Sequence, residues 1–228
     1  MHGTVAYLCS VLDQHPSAES ARPNPKQAAI LEAATRVFLD NGFRGTSMDT
    51  IARAANVAKQ TVYQHFVGKE RLFAEVVRRA VDAVAAPVAA EIEQLGSGSD
   101  LATDLTELAV RHLDSVLQPR VLALRRLVIA EASRFPELGQ AFFEQGPGRT
   151  MNGLAARFAE LAREGRLRVA DPSTAAAEFN WLVMAAPINE AMLLGRTSFP
   201  AAELASIADR AVTTFIRAYG SGGANSRI

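Results

Sequence analysis

Residues 51–66 read IARAANVAKQTVYQHF, and within them Ala52, Asn56 and Val62 stand four and six residues apart. Two short helices that cross closely need a small side chain at the crossing, which Ala52 supplies. The turn between them needs a residue that tolerates positive φ, where glycine is usual and asparagine acceptable, and Asn56 fits. The second helix needs an apolar plug on its inner side, and Val62 fits. Such a helix-turn-helix leaves the outer side of its second helix free to enter a DNA major groove, which is wide enough to admit it. The same spacing also suits a plain pair of core helices.

Outward from this stretch, the neighbouring segments have helical periodicity. Asn24-Pro25 offers a cap and a first-turn proline for a helix running to about Asn41. Its apolar stripe is Ile30, Leu31, Ala34, Val37 and Phe38, the pattern of a core-facing helix. Asn41-Gly42 stops it. Thr46 to Asp49 reads as a capping box that opens a second helix ending near Ala55, and a third covers about Lys59 to Phe66. Gly68-Lys69-Glu70 begins a long fourth helix whose inward residues are Leu72, Phe73, Val76, Val77, Ala80 and Val84. Pro87 is expected to kink or end it, and Gly96-Ser97-Gly98-Ser99 to form a flexible joint. Further helices are expected at about 100–118, 119–133, 136–145, 149–164, 172–195 and 200–219, with Asp171-Pro172 a clear start signal. Alternating strand patterns and internal repeats are lacking. Residues 1–24 read as a mobile arm and those after Gly220 as a disordered tail.

Composition narrows the function classes. The 228 residues carry equal numbers of acidic and basic side chains, 24 of each. Their distribution is uneven: 25–80 holds nine Lys/Arg against five Asp/Glu, a net +4, and the remainder is net −4. A basic module on a mildly acidic body suits one face for phosphates and another for something else. Hydrophobic residues make up 49%, rich in alanine and poor in β-branched runs, which favours helix. The one cysteine, Cys9, has no internal disulfide partner, and no apolar run approaches the ~18 residues that span a bilayer. The short apolar start lacks a basic region before it, so a secretory signal is not expected and a reducing cytoplasm is. An enzyme is the rival class. Four scattered histidines and one cysteine give neither a catalytic dyad nor metal-ligand spacing, and Gly146-Pro147-Gly148 lacks the lysine and preceding strand of a phosphate loop. No cofactor or metal is expected.

From Ile30 to Val77, with FLDNGFRGTSMDTIARAANVAKQTVYQHFVGKERLFAEV at its centre, the chain resembles the TetR-family DNA-binding domain. The resemblance rests on Asn41-Gly42-Phe43, Thr46-Ser47, Ile51-Ala52, Thr61-Val62-Tyr63, His65-Phe66 and Lys69-Glu70 followed by Leu72-Phe73. Two positions depart from the family pattern: Ala58 stands where serine is usual, and Gln60 replaces a frequent glycine. The resemblance implies an all-α protein, with a three-helix DNA-binding domain at 25–71 (helix-turn-helix about 46–66) joined by a long helix to a larger regulatory domain at 72–219. It implies that Lys59, Gln60, Thr61, Tyr63, Gln64 and His65 form the recognition helix, and that Thr46, Ser47 and Lys69 hold phosphates at helix N-termini. Gln60 and Gln64 are the candidate base readers, since an amide pairs with adenine. Tyr63 has two roles open to it, ring packing and phosphate contact, and His65 is either a surface histidine or a phosphate contact.

The C-terminal half resembles the AefR-like subgroup through Arg134-Phe135-Pro136-Glu137-Leu138, Gly165-Arg166-Leu167-Arg168 and Asp171-Pro172 followed by Ala175, Ala176 and Phe179. That implies a homodimer through 172–195 and 200–219, bound to operator DNA and released by a small, largely apolar effector. The stripe Leu204, Ile207, Ala208, Ala211, Val212, Phe215, Ile216 and Tyr219 is wide enough for a helix that packs on its own core and on a partner. A broad internal core face is the plainer alternative. Effector candidates are Leu108, His112, Phe142, Met151, Trp181 and Met184, each of which also suits plain core. Pro187 is expected to open a gap beside Trp181. A ligand-independent architectural DNA-binding protein is the remaining alternative.

Overall fold

The computed structural model describes residues 24–98 and 100–221, so the expectations for the N-terminal arm, Cys9, Ser99 and the last seven residues lie outside it. The described residues form helices α1 (Pro25–Gly45), α2 (Met48–Ala54), α3 (Lys59–His65), α4 (Lys69–Gln94) and α5 (Leu101–Val116). These are followed by α6 (Pro119–Ala132), α7 (Pro136–Phe143), a π-helical turn (Glu144–Gly148), α8 (Arg149–Arg163), α9 (Pro172–Leu194) and α10 (Ala201–Tyr219). The fold is all-helical, and the only β element among the described residues is an isolated bridge between Leu167 and Gly220. None of these helices is long and apolar enough to cross a membrane.

Capping explains several boundaries. The Asn24 side chain accepts the Lys26 N–H at 3.1 Å, with Pro25 next in line, where its missing N–H costs nothing. Asp100 accepts the N–H groups of Ala102 and Thr103, and Asp171 those of Ser173 and Thr174. Gly195 takes the left-handed conformation after α9, with φ +69°. Neither internal proline ends its helix: α4 runs through Pro87 and α9 through Pro187.

The chain divides into two compact units. The first comprises residues up to Val81 together with 123–144, and the second comprises 82–122 and 145 onward. In the first, α1, α2, α3 and the start of α4 share one core with the second part of α6 and with α7. Phe38, Phe43 and Phe73 pack at ring-centroid separations of 4.9–6.0 Å, and Phe135 meets Phe43 edge-on at 5.2 Å. Leu124, Val128 and Leu138 belong to the same cluster. Thus a segment far along the chain completes the hydrophobic core of the N-terminal helices.

In the second unit, α9 packs against α8 and α10, and α10 against α5. Phe158, Phe179 and Phe215 meet at its centre in edge-to-face and tilted contacts, with the Tyr219 ring centroid 4.9 Å from that of Phe215. The stretch after α4 is held, not loose. The Asp104 carboxylate accepts the N–H groups of Gly96 and Gly98 at 3.0 and 3.1 Å, and a Cβ at Gly98 would lie 2.4 Å from that carboxylate. Arg157 donates to the Leu95 carbonyl at 2.6 Å, and Arg166 donates to the carbonyls of Gly96 and Gly98. Asp104 nearby and two arginines 62–70 residues away impose this order, which the Gly/Ser composition does not reveal.

Candidate DNA-binding surface

Gly42 interrupts α1 with φ +69° and ψ 174°, a backbone that side chains disfavour, and sends the chain into a tight corner. Thr46 sits inside that corner, buried, its hydroxyl directed at the carbonyls of Gly42 (2.7 Å) and Val37 (3.2 Å). The Lys69 ammonium reaches back from α4, donating to the carbonyls of Phe43 and Thr46 at 2.9 Å each and lying 4.5 Å from the Phe43 ring centroid. Orphan carbonyls at a helix end attract a cation for the same reason that they need donors. Two of the three Lys69 N–H groups are committed here. Thr46 and Lys69 therefore fasten the corner, and the Thr46 hydroxyl faces inward.

The cap of α2 falls one residue later than the sequence suggests. Ser47, not Thr46, is the N-cap: its Oγ accepts the Thr50 N–H at 3.1 Å and lies 2.9 Å from the Thr50 hydroxyl. Ala52 is buried where α2 and α3 cross, and Val62 is fully buried beneath α3. Asn56 has φ +53°, the one non-glycine with positive φ among the described residues, and this conformation turns the chain between the helices.

That packing leaves Lys59, Gln60, Tyr63 and Gln64 exposed on one side of α3, with Thr61 and His65 half-buried. Their spacing covers about 140° of the helix surface at 100° per residue. The Tyr63 side chain is 45% exposed, so its ring lies on this face and not in the core. Ala58, at the N-cap of α3, makes no side-chain hydrogen bond. Lys59 pairs with Asp49 of α2 at 2.7 Å, and its ammonium lies 6.0 Å from the Tyr63 ring centroid. The hydrogen bond that Lys59 donates to the Asp49 carboxylate keeps Lys59 above the ordinary lysine pKa. Asp49 was not among the residues expected at the surface, because an acidic first-turn residue reads as helix capping.

A short helix held by Ala52, Asn56 and Val62, with amide, phenol and ammonium groups along its outer side, has the form that suits a DNA groove. Residues 30–76 match the bacterial regulatory proteins of the tetR family, and residues 103–221 match the AefR-like transcriptional repressor C-terminal domain. The chain belongs to the TetR family. A TetR-family transcriptional regulator from Mesorhizobium loti is 37% identical, with TM-score 0.81 over 86% of this chain and 96% of that one. The flavonoid-responsive regulator FrrA is 28% identical, with TM-score 0.71 over 87% of this chain and 98% of that one. Among curated relatives, the HTH-type regulator YhgD of Bacillus subtilis is 47% identical over 51 residues, 22% of this chain and 27% of its own length. The HTH-type activator FasR of Mycolicibacterium smegmatis is 42% identical over 57 residues, 25% of this chain and 26% of its own. The chain thus matches about a quarter of the length of these two. Membership makes the regulator a DNA-binding transcription factor and not an enzyme.

The effector candidates are distributed over both units. Leu108 and Met184 are buried in the core of the second unit, and Met151 and His112 are half-buried in that unit. Phe142 belongs to the first unit, where its ring lies 5.4 Å from the Arg125 guanidinium. Trp181 is 44% exposed on the outer side of α9, beside Leu182, and is not turned toward a gap at Pro187, which is itself buried.

Proposed function

We propose that the regulator is a homodimeric repressor that binds a pseudo-palindromic operator and is released from it by a small, largely apolar effector. One observation carries the reading: the outer face of α3 presents Lys59, Gln60, Tyr63 and Gln64 together, with Gln60 and Gln64 free to meet base edges. Gln60 and Gln64 act as readers; Ser47, Thr61, Tyr63 and His65 contact the backbone; Lys59 stands beside them in its pair with Asp49; Thr46 and Lys69 support them from within. On this reading 25–71 reads DNA and 72–219 carries the effector and dimer contacts.

The dimer joins through α9 and α10. On α9, Trp181, Leu182, Ala186, Asn189 and Leu193 form one exposed and largely apolar stripe, which favours a protein partner over water. A two-fold dimer presents its recognition helices about 34 Å apart, to successive major grooves. An effector that fits the body better when the heads are spread lowers operator affinity by the same differential free energy. At ~1–3 kcal/mol of coupling the loss is about 5- to 150-fold. That FrrA is flavonoid-responsive supports an organic effector in this relative.

Selection of bound sequences from random duplex DNA tests the assignment of readers. Gln60→Ala and Gln64→Ala should each relax preference at particular base pairs, by about 1–3 kcal/mol where the contact is bidentate. If both variants select the wild-type sequence unchanged, the readers are elsewhere.

A further inference from the structure

We propose that Asp49 sets how much of the regulator's DNA affinity is independent of sequence, by holding Lys59 off the phosphate backbone. The inference rests on α3 being the recognition helix. From Thr46 to Lys69 the chain has three fixed cations, Arg53, Lys59 and Lys69. Lys69 is turned inward, with two N–H groups on the carbonyls of Phe43 and Thr46. Lys59, the first residue of α3, is bound at 2.7 Å by a carboxylate from the neighbouring helix. Two of the three cations that this motif could offer to phosphates are therefore engaged inside the protein.

Both partners of the Lys59–Asp49 pair are more than half exposed, so the pair contributes little to stability. Its consequence is electrostatic. Sequence-independent binding comes from cations that neutralise phosphates and release counterions, and a lysine already paired with a carboxylate releases none. For a phosphate to take Lys59 it must displace Asp49 and leave that carboxylate beside the anionic backbone. Gln60 and Gln64 are neutral and stand on the same face, so base reading does not depend on the pair. Asp49 is thus a restraint on affinity for DNA of any sequence, consistent with a chain whose overall formal charge is zero.

The test uses the full-length chain and its Asp49→Asn variant, titrated with the selected operator and with a random duplex between about 50 and 200 mM salt. The expected result is severalfold tighter binding to both duplexes and an unchanged selected sequence. The plot of log affinity against log salt should steepen by about 0.9 for each DNA-reading head. Asp49→Glu should restore wild-type behaviour, and in a Lys59→Ala background Asp49→Asn should leave the slope unmoved. Circular dichroism of every variant establishes that the helices are intact. An unchanged or shallower slope for Asp49→Asn, or the same steepening without Lys59, overturns the proposal. Wild-type protein that binds no duplex overturns instead the recognition-helix reading on which the proposal rests.

Discussion

Helices α3 and α9 each leave a broad face uncovered by their own unit, and the two faces differ in kind. On α3 the uncovered residues are Lys59, Gln60, Tyr63 and Gln64, polar groups at ease in water. On α9 they are Trp181, Leu182, Ala186, Asn189 and Leu193, apolar but for the one asparagine, with Trp181 and Leu182 each 44% exposed and Leu193 79% exposed. A polar face gives up water for base edges and phosphates at little net gain, so its partner comes and goes. An apolar face left in water costs about 25 cal/mol per Å² of the area that a partner would cover, which favours a lasting one. On the proposed reading, α3 makes a reversible contact with DNA and α9 a stable contact with a second copy.

The most disruptive way to break that comparison is to make the α9 face polar. A Trp181→Asp, Leu182→Asp double variant should sediment as a monomer. Because two linked heads gain about 10²–10⁴-fold over one, operator affinity should fall on that scale. A variant that stays dimeric would move the interface elsewhere.

Next in size is Phe43→Ala, which opens the aromatic cluster of the first unit and should cost about 3–5 kcal/mol in urea unfolding. Because Phe135 of the α6–α7 segment touches Phe43, the same change should loosen 123–144, read as faster amide exchange there. Exchange unchanged in that segment would mean that it holds to the head without Phe43.

Lys69→Ala separates fastening from phosphate contact. Loss of two hydrogen bonds from a charged donor should lower stability without DNA by about 1.5–3 kcal/mol. Weaker operator binding at unchanged stability would return Lys69 to the phosphates. The smallest expected effect is a gain: Ala58→Ser gives α3 the cap that it lacks and should raise stability by about 0.5–1 kcal/mol, measured as a higher urea midpoint.

Much of the head was legible in the sequence because its determinants are local. Ala52, Asn56 and Val62 lie within a dozen residues of one another, and each answers a steric demand that residue type alone reveals. The capping residues Asn24, Asp100 and Asp171 are equally local. What escaped was set by distant partners. Nothing near Thr46 or Lys69 reveals that a corner 23–26 residues before the lysine will take its ammonium. The order from Leu95 to Gly98 depends on Arg157 and Arg166 as well as on nearby Asp104, and the place of Phe142 depends on 123–144 joining the first unit. Trp181 and Phe142 have the composition of a ligand pocket, but side-chain type does not tell which way a residue faces on a helix that is apolar all round. On α9 that ambiguity is complete, since large apolar side chains occupy both its buried and its exposed sides.

The account as a whole turns on two α9 faces meeting so that two α3 faces can read one operator. Sedimentation of the wild-type protein on its selected duplex measures this directly. The account predicts two chains on one pseudo-palindrome, with half-site centres about one helical turn apart. A single chain bound tightly to a non-palindromic half-site would contradict it.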